Sequence, residues 1–89
     1  MSVSAADLQN ALATGLQPER LEVEDDSHLH AGHAGASEGS HFTVRIVSRR
    51  FDGLSRVARH RLVYDCLDAL IGRGGIHALA IDARAPGDT

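Results

Sequence analysis

The chain has 89 residues, a net charge of −3, 43% apolar residues and only 3% aromatics, a composition close to that of an ordinary soluble globular protein, which supports a single domain with an aliphatic core and no room for a second. One cysteine, Cys66, rules out an internal disulfide framework and suits a reducing compartment. No apolar run reaches the roughly 20 residues that span a bilayer, and Met1 to Ala13 lacks the basic start and apolar stretch of a secretory leader, so a cytoplasmic protein is expected.

Ser4 and Asp7 stand three residues apart in the pattern of a capping box, and Leu8, Leu12 and Leu16 follow at helical spacing. The spacing predicts a first helix over 5–16, ended by Pro18. Leu21 and Val23 then alternate with Glu22 and Glu24, as in a short strand with one wet face. From Asp26 to Ser40 the chain has one large apolar residue, Leu29, among Ala, Gly, Ser and His. Residues 26–40 are therefore expected to form a long flexible loop of the kind that carries function or is disordered.

The clearest strand is His41 to Ser48, where Phe42, Val44 and Ile46 alternate with Thr43 and Arg45. Ser55 is placed to cap a long helix running to about Ile71, with Gly72, Gly74 and Gly75 stopping it. At 100° per residue, Val57, His60, Val63, Tyr64, Cys66, Leu67, Leu70 and Ile71 share one half of that helix, opposite Arg61, Asp65 and Asp68. Ile76 to Ala83 predicts a third strand, and Ala85 to Thr89 a frayed tail.

A strand pair joined directly is antiparallel, whereas a strand that leaves through a helix and rejoins its sheet is parallel by a right-handed crossover. Strand two is therefore expected in the centre of a three-stranded mixed sheet. Strands two and three then begin at the edge where strand one ends. The His-rich loop and His77 are expected to meet there.

Neutral imidazole binds metals and changes charge near neutral pH, and four of the six histidines, His28, His30, His33 and His41, fall within 28–41. His60 lies inside the apolar arc and reads as a packed residue, while His41 alternates away from Phe42 toward the surface. Cys66 reads as a small hydrophobe, not a nucleophile. No carboxylate or nucleophile clusters with the histidines, so an enzyme is not expected. Arg49, Arg50, Arg56, Arg59 and Arg61 lie in a stretch holding one acid, Asp52, a charge of about +4 that attracts phosphates.

With His41-Phe42-Thr43-Val44-Arg45-Ile46-Val47-Ser48, then Phe51 and Gly53, then Arg59-His60-Arg61-Leu62-Val63-Tyr64 and Ile76-His77-Ala78-Leu79, the chain resembles the BolA family, and Leu21-Glu22-Val23 extends the match over nearly its whole length. The resemblance implies one domain over 1–89 with an α+β, αββααβ fold of type II KH-like form, its helices packed on one face of the sheet. It also implies a partner, a monothiol glutaredoxin with a Cys-Gly-Phe-Ser active site, and a bridging [2Fe-2S] cluster in iron-sulfur protein maturation or iron regulation. The implied ligands are His77 and His30, with His33 the alternate. A glutaredoxin cysteine and a glutathione thiol supply the rest, so the chain alone, a monomer or weak dimer, is not expected to hold the cluster. Some bacterial members are DNA-binding regulators of morphology and stress responses, which would engage the five arginines. A KH-type RNA clamp needs a Gly-x-x-Gly loop, and the junction Phe51-Asp52-Gly53-Leu54-Ser55-Arg56 has a single glycine.

Overall fold

The structure, a computed structural model, describes residues 3–26, 40–72 and 76–88. Helix α1, Ala5–Leu16, starts on the expected capping box: Ser4 Oγ accepts from the Asp7 amide at 3.2 Å, and the Asp7 carboxylate accepts from the Ser4 amide at 2.9 Å. Two otherwise orphaned helix donors are thereby satisfied. Leu8, Leu12 and Leu16 are buried on one face. The helix ends at Gln17 in the left-handed region (φ 44°, ψ 56°), immediately before Pro18.

Strand β1, Arg20–Asp25, pairs antiparallel with β2, Ser40–Val47, and β2 pairs parallel with β3, Ile76–Arg84, giving the order β1-β2-β3. The central position of β2 and both pairing senses agree with the sequence reading. Alternation along β2 buries Phe42, Val44 and Ile46 against the helices, while Thr43, Arg45 and Val47 occupy the other face. Across the register, Leu21 and Val23 of β1 and Leu79, Ile81 and Ala83 of β3 share the buried face and pack on the same core. On the open face, Arg45 stands between Glu22 and Glu24 at 3.4 and 3.2 Å.

The expected single helix after Ser55 is two: α2, Arg56–Cys66, and α3, Asp68–Ile71, separated by Leu67 at φ −98°, ψ 4°. Ser55 does cap α2, its hydroxyl accepting from the Ala58 amide at 3.1 Å. Asp68 opens the second piece, where a carboxylate suits the positive end of a helix. A 3-10 turn at Arg49–Phe51, unforeseen in the sequence, leads into α2 and buries Phe51 completely. These elements give the αββααβ order, an arrangement compatible with a type II KH-like fold.

The apolar arc of α2 is rotated from its projected position. Val63, Leu67 and Leu70 are buried and Leu62 packs on the core, but Val57 is 66% and Tyr64 44% exposed. The buried arc is turned from the apolar projection because Arg59 takes up part of the sheltered sector, its side chain only 15% exposed. Cys66, half-buried, faces α1 so closely that a Cβ on Gly15 would sit 2.6 Å from its Sγ. Glycine at 15 is what lets the two helices approach.

Ser48 is fully buried and binds three segments at once. Its hydroxyl donates to the Leu16 carbonyl at 2.7 Å and accepts from the Arg50 amide at 3.1 Å, and its own amide donates to the Arg84 carbonyl at 2.9 Å. Ser48→Ala should lower stability by about 1–3 kcal/mol, because it strands the Leu16 carbonyl and the Arg50 amide. Urea unfolding of the two proteins measures this directly.

Candidate functional site

The sheet topology brings three chain passages to one edge. β1 ends at Asp25, opposite Phe42; β2 begins at Ser40, opposite Ile76; and β3 begins at Ile76. Asp26 and Ser40, the described residues that flank 27–39, therefore lie at the sheet edge where β3 starts. Asp26, the first residue beyond β1, is held to β2 twice: its amide donates to the His41 carbonyl at 2.7 Å, and its carboxylate accepts from Thr43 Oγ1.

The ladder breaks at this edge. Ser40 pairs with Ile76 but His41 pairs with Ala78, so one step along β2 spans two along β3 and His77 is left without a partner residue. An inserted residue of this kind is a β-bulge, a feature over-represented at sheet edges. The sequence reading located His77 at the start of the strand but had no signal for the bulge, which exists only in the pairing of two segments more than thirty residues apart. His28, His30 and His33 lie outside the described residues. His41 is half-buried on the face opposite Phe42. Among the described residues, no three His, Cys, Asp or Glu side chains converge on a metal-sized position.

His60 is half-buried and lines an open groove together with Arg56 and Ile81, and is not in the core as its place in the apolar arc suggests. The rotation of α2 accounts for the difference. Burial pushes the Cys66 thiol up from its ordinary range, with Asp65 adding to the effect and Arg50 opposing it. It stays protonated at neutral pH and is unsuited to nucleophilic attack.

The five arginines divide into two kinds. Arg59 is a structural clamp: its guanidinium donates to the Leu54 carbonyl at 3.0 Å, the Ala83 carbonyl at 3.3 Å and the Asp88 carboxylate at 2.5 Å. Asp88 also accepts from the Ala85 amide at 3.0 Å, so residues 85–88 form a closed turn with Ala85 buried, where a frayed tail was expected. Arg49 pairs with Glu19 at 3.4 Å. Arg50, Arg56 and Arg61 are exposed and form no ion pair with any described residue. Of these five, they are the ones with no anionic partner among the described residues.

The sequence model of the family described as BolA-like protein matches residues 12–88. The chain is 46% identical over 81 residues to BolA-like protein 1 of Homo sapiens, covering 91% of this chain and 57% of that protein. It is 45% identical over 87 residues to SufE-like protein 1, chloroplastic/mitochondrial, of Arabidopsis thaliana, covering 91% of this chain but 23% of that protein. Among solved structures, the BolA domain of SufE1 from Arabidopsis thaliana superposes with a TM-score of 0.83 at 44% identity, over 100% of this chain and 99% of that one.

The clamp has a pH signature. The hydrogen bond from Arg59, with that from the Ala85 amide, holds the Asp88 carboxyl below its ordinary value of 3.8. A depressed carboxylate contributes stability that is full above its unfolded value and is lost as pH falls through its folded one. Asp88→Asn should therefore melt below wild type above about pH 5, and the gap should close as pH falls past 3.8. Thermal melts of both proteins across that range provide the comparison.

Proposed function

Because the chain belongs to the BolA-like family, we propose that it is a non-enzymatic adaptor that binds a monothiol glutaredoxin and shares a [2Fe-2S] cluster with it. The observation that carries this reading is the break in the ladder at His77, on the sheet edge shared by Asp26 and Ser40, between which the sequence carries His28, His30 and His33. A domain like this one within a SufE-like protein supports a role in iron-sulfur maturation.

The donor chemistry fits such a group. One imidazole from β3 and one from the loop make a pair of neutral nitrogen ligands, as the two histidines on one iron of a Rieske centre do. Two positions then remain, which a glutaredoxin cysteine and a glutathione thiol would fill. When bound, the cluster would be an exchangeable iron-sulfur cargo, with His77 and one loop histidine as the ligands this chain would contribute. His77 is carried by a strand and the loop histidines by a connection, so strand and loop contribute unequally: His77 is set by the sheet, whereas a neighbour can replace a lost loop ligand. Among the described residues no helix is long and apolar enough to cross a membrane.

A second reading, binding to DNA, rests on Arg50, Arg56 and Arg61, the unpaired cations around the start of α2. Replacing Arg56 and Arg61 by Ala should flatten the dependence of log affinity on log salt by about one unit per lost phosphate contact. Titrating a labelled duplex at several salt concentrations reads the slope, and no binding at low salt ends this reading.

Mixing the chain with a monothiol glutaredoxin, iron, sulfide and glutathione should yield a heterocomplex with cluster absorption and visible circular dichroism, and its absence would overturn the adaptor reading. Within that complex, His77→Ala should release the cluster to a chelator faster than His30→Ala. His30→Ala combined with His33→Ala should release it faster than either loop single. A His77→Ala protein that retains its cluster as long as wild type would show the edge to be the wrong site.

A further inference from the structure

Among the described residues β3 is an edge strand, and half of its backbone faces no other described strand. The Ser48 amide donates to the Arg84 carbonyl at 2.9 Å, which sets the parity. In a parallel ladder both polar groups of a residue point to the same side, and successive residues alternate. Ala80, Asp82 and Arg84 thus face β2, while Leu79, Ile81 and Ala83 face outward. Arg59 marks the outward side by donating to the Ala83 carbonyl. No hydrogen bond from a described residue reaches the outward amides and carbonyls of Leu79 and Ile81.

Edges are ordinarily blunted by charge, proline or a covering element, because they template the pairing of another chain. Here the charges stand at the far end, Asp82 with Arg84 at 2.9 Å, and Ile76–Ile81 contains no proline, lysine, arginine or acid. A groove of about 950 Å³ runs beside the edge, with Ile81 and Ala83 on one wall, Arg56 and His60 of α2 on the other, and Asp88 at its end. Both carboxylates in the groove are engaged, Asp82 by Arg84 and Asp88 by Arg59. Arg56 has no partner among the described residues.

We propose that this groove receives an extended acidic peptide segment that adds to β3 as a fourth strand, its main chain pairing with Leu79 and Ile81 and a carboxylate reaching Arg56. Outward amides and carbonyls together are complemented by another polypeptide backbone; a nucleic acid backbone offers acceptors for the amides and leaves the carbonyls unmet. The acidic character follows from the unpaired Arg56. It has a precedent within the chain, since Asp88 already places a carboxylate on a groove arginine. A strand edge on one wall and a helix on the other is an arrangement in which main-chain bonds give affinity and side-chain pockets give specificity.

The test uses fluorescence anisotropy with a labelled peptide of alternating valine and glutamate, and the same peptide N-methylated at alternate residues. The unmodified peptide should bind at low salt, and N-methylation should weaken it about tenfold per lost hydrogen bond. Arg56→Ala should weaken binding and reduce its salt dependence, and the Leu79 and Ile81 amides should gain protection from hydrogen exchange. Ile81→Pro removes an amide that the β2 ladder does not use, as proline on an edge strand allows, so the fold should persist while binding is lost. Should that variant fail to fold, the N-methylation comparison on the wild-type chain decides. Equal binding of both peptides would overturn the proposal. So would protection of these amides by a short DNA duplex instead of the peptide, or by self-association that excess peptide does not reverse.

Discussion

The Ser48 hydroxyl sits where the end of α1, the end of β2 and the start of the 3-10 turn converge, and its amide reaches across to the end of β3. A helix C-terminus exposes carbonyls that must find donors, and the one at Leu16 is met here inside the protein. A fully buried hydroxyl is tolerated only when its bonding capacity is used, and this one donates and accepts. Because the same residue joins helix, sheet and turn, it sets how α1 lies on the sheet and where the chain turns toward α2. The arginine-bearing helix and the groove beside it inherit their positions from that junction.

At the opposite end of the sheet the design is looser in pairing and richer in chemistry. The ladder slips by one residue at His77, and the β1–β2 connection is held at its first residue by Asp26 on His41 and Thr43. One end of the sheet is thus locked by a buried polar junction, while the other departs from regular pairing at His77. Sites commonly occupy such departures, which re-aim side chains without disturbing the core.

Much of the architecture was legible in the residues because it rests on local patterns. The Ser4 and Asp7 cap, the leucine spacing of α1 and the alternation of β2 are decided within a few residues, and crossover handedness then orders the sheet. What escaped depends on partners distant in sequence. Arg59 looked like one more cation of a basic stretch, yet it bonds to Leu54, Ala83 and Asp88. That contact draws Arg59 into the sheltered sector of α2, leaves Val57 and Tyr64 exposed, and closes the turn at 85–88. For the candidate site, the shared edge was legible and the bulge was not. The competition among His28, His30 and His33 concerns residues beyond those the structure describes.

The placement of β2 between neighbours of unequal sequence distance bears on how the chain is completed during synthesis. Its antiparallel neighbour β1 is already available when β2 emerges, but its parallel neighbour pairs Val47 with Arg84, thirty-seven positions later. Until residue 84 has left the ribosome, the second edge of the most deeply buried strand stays open, and the Ser48 amide has no carbonyl to meet. Non-local pairing of this kind slows folding and prolongs the exposure of strand edges. While residues 48–84 are being added, β1 and β2 have to persist as a two-stranded pair without the parallel neighbour that completes the described sheet.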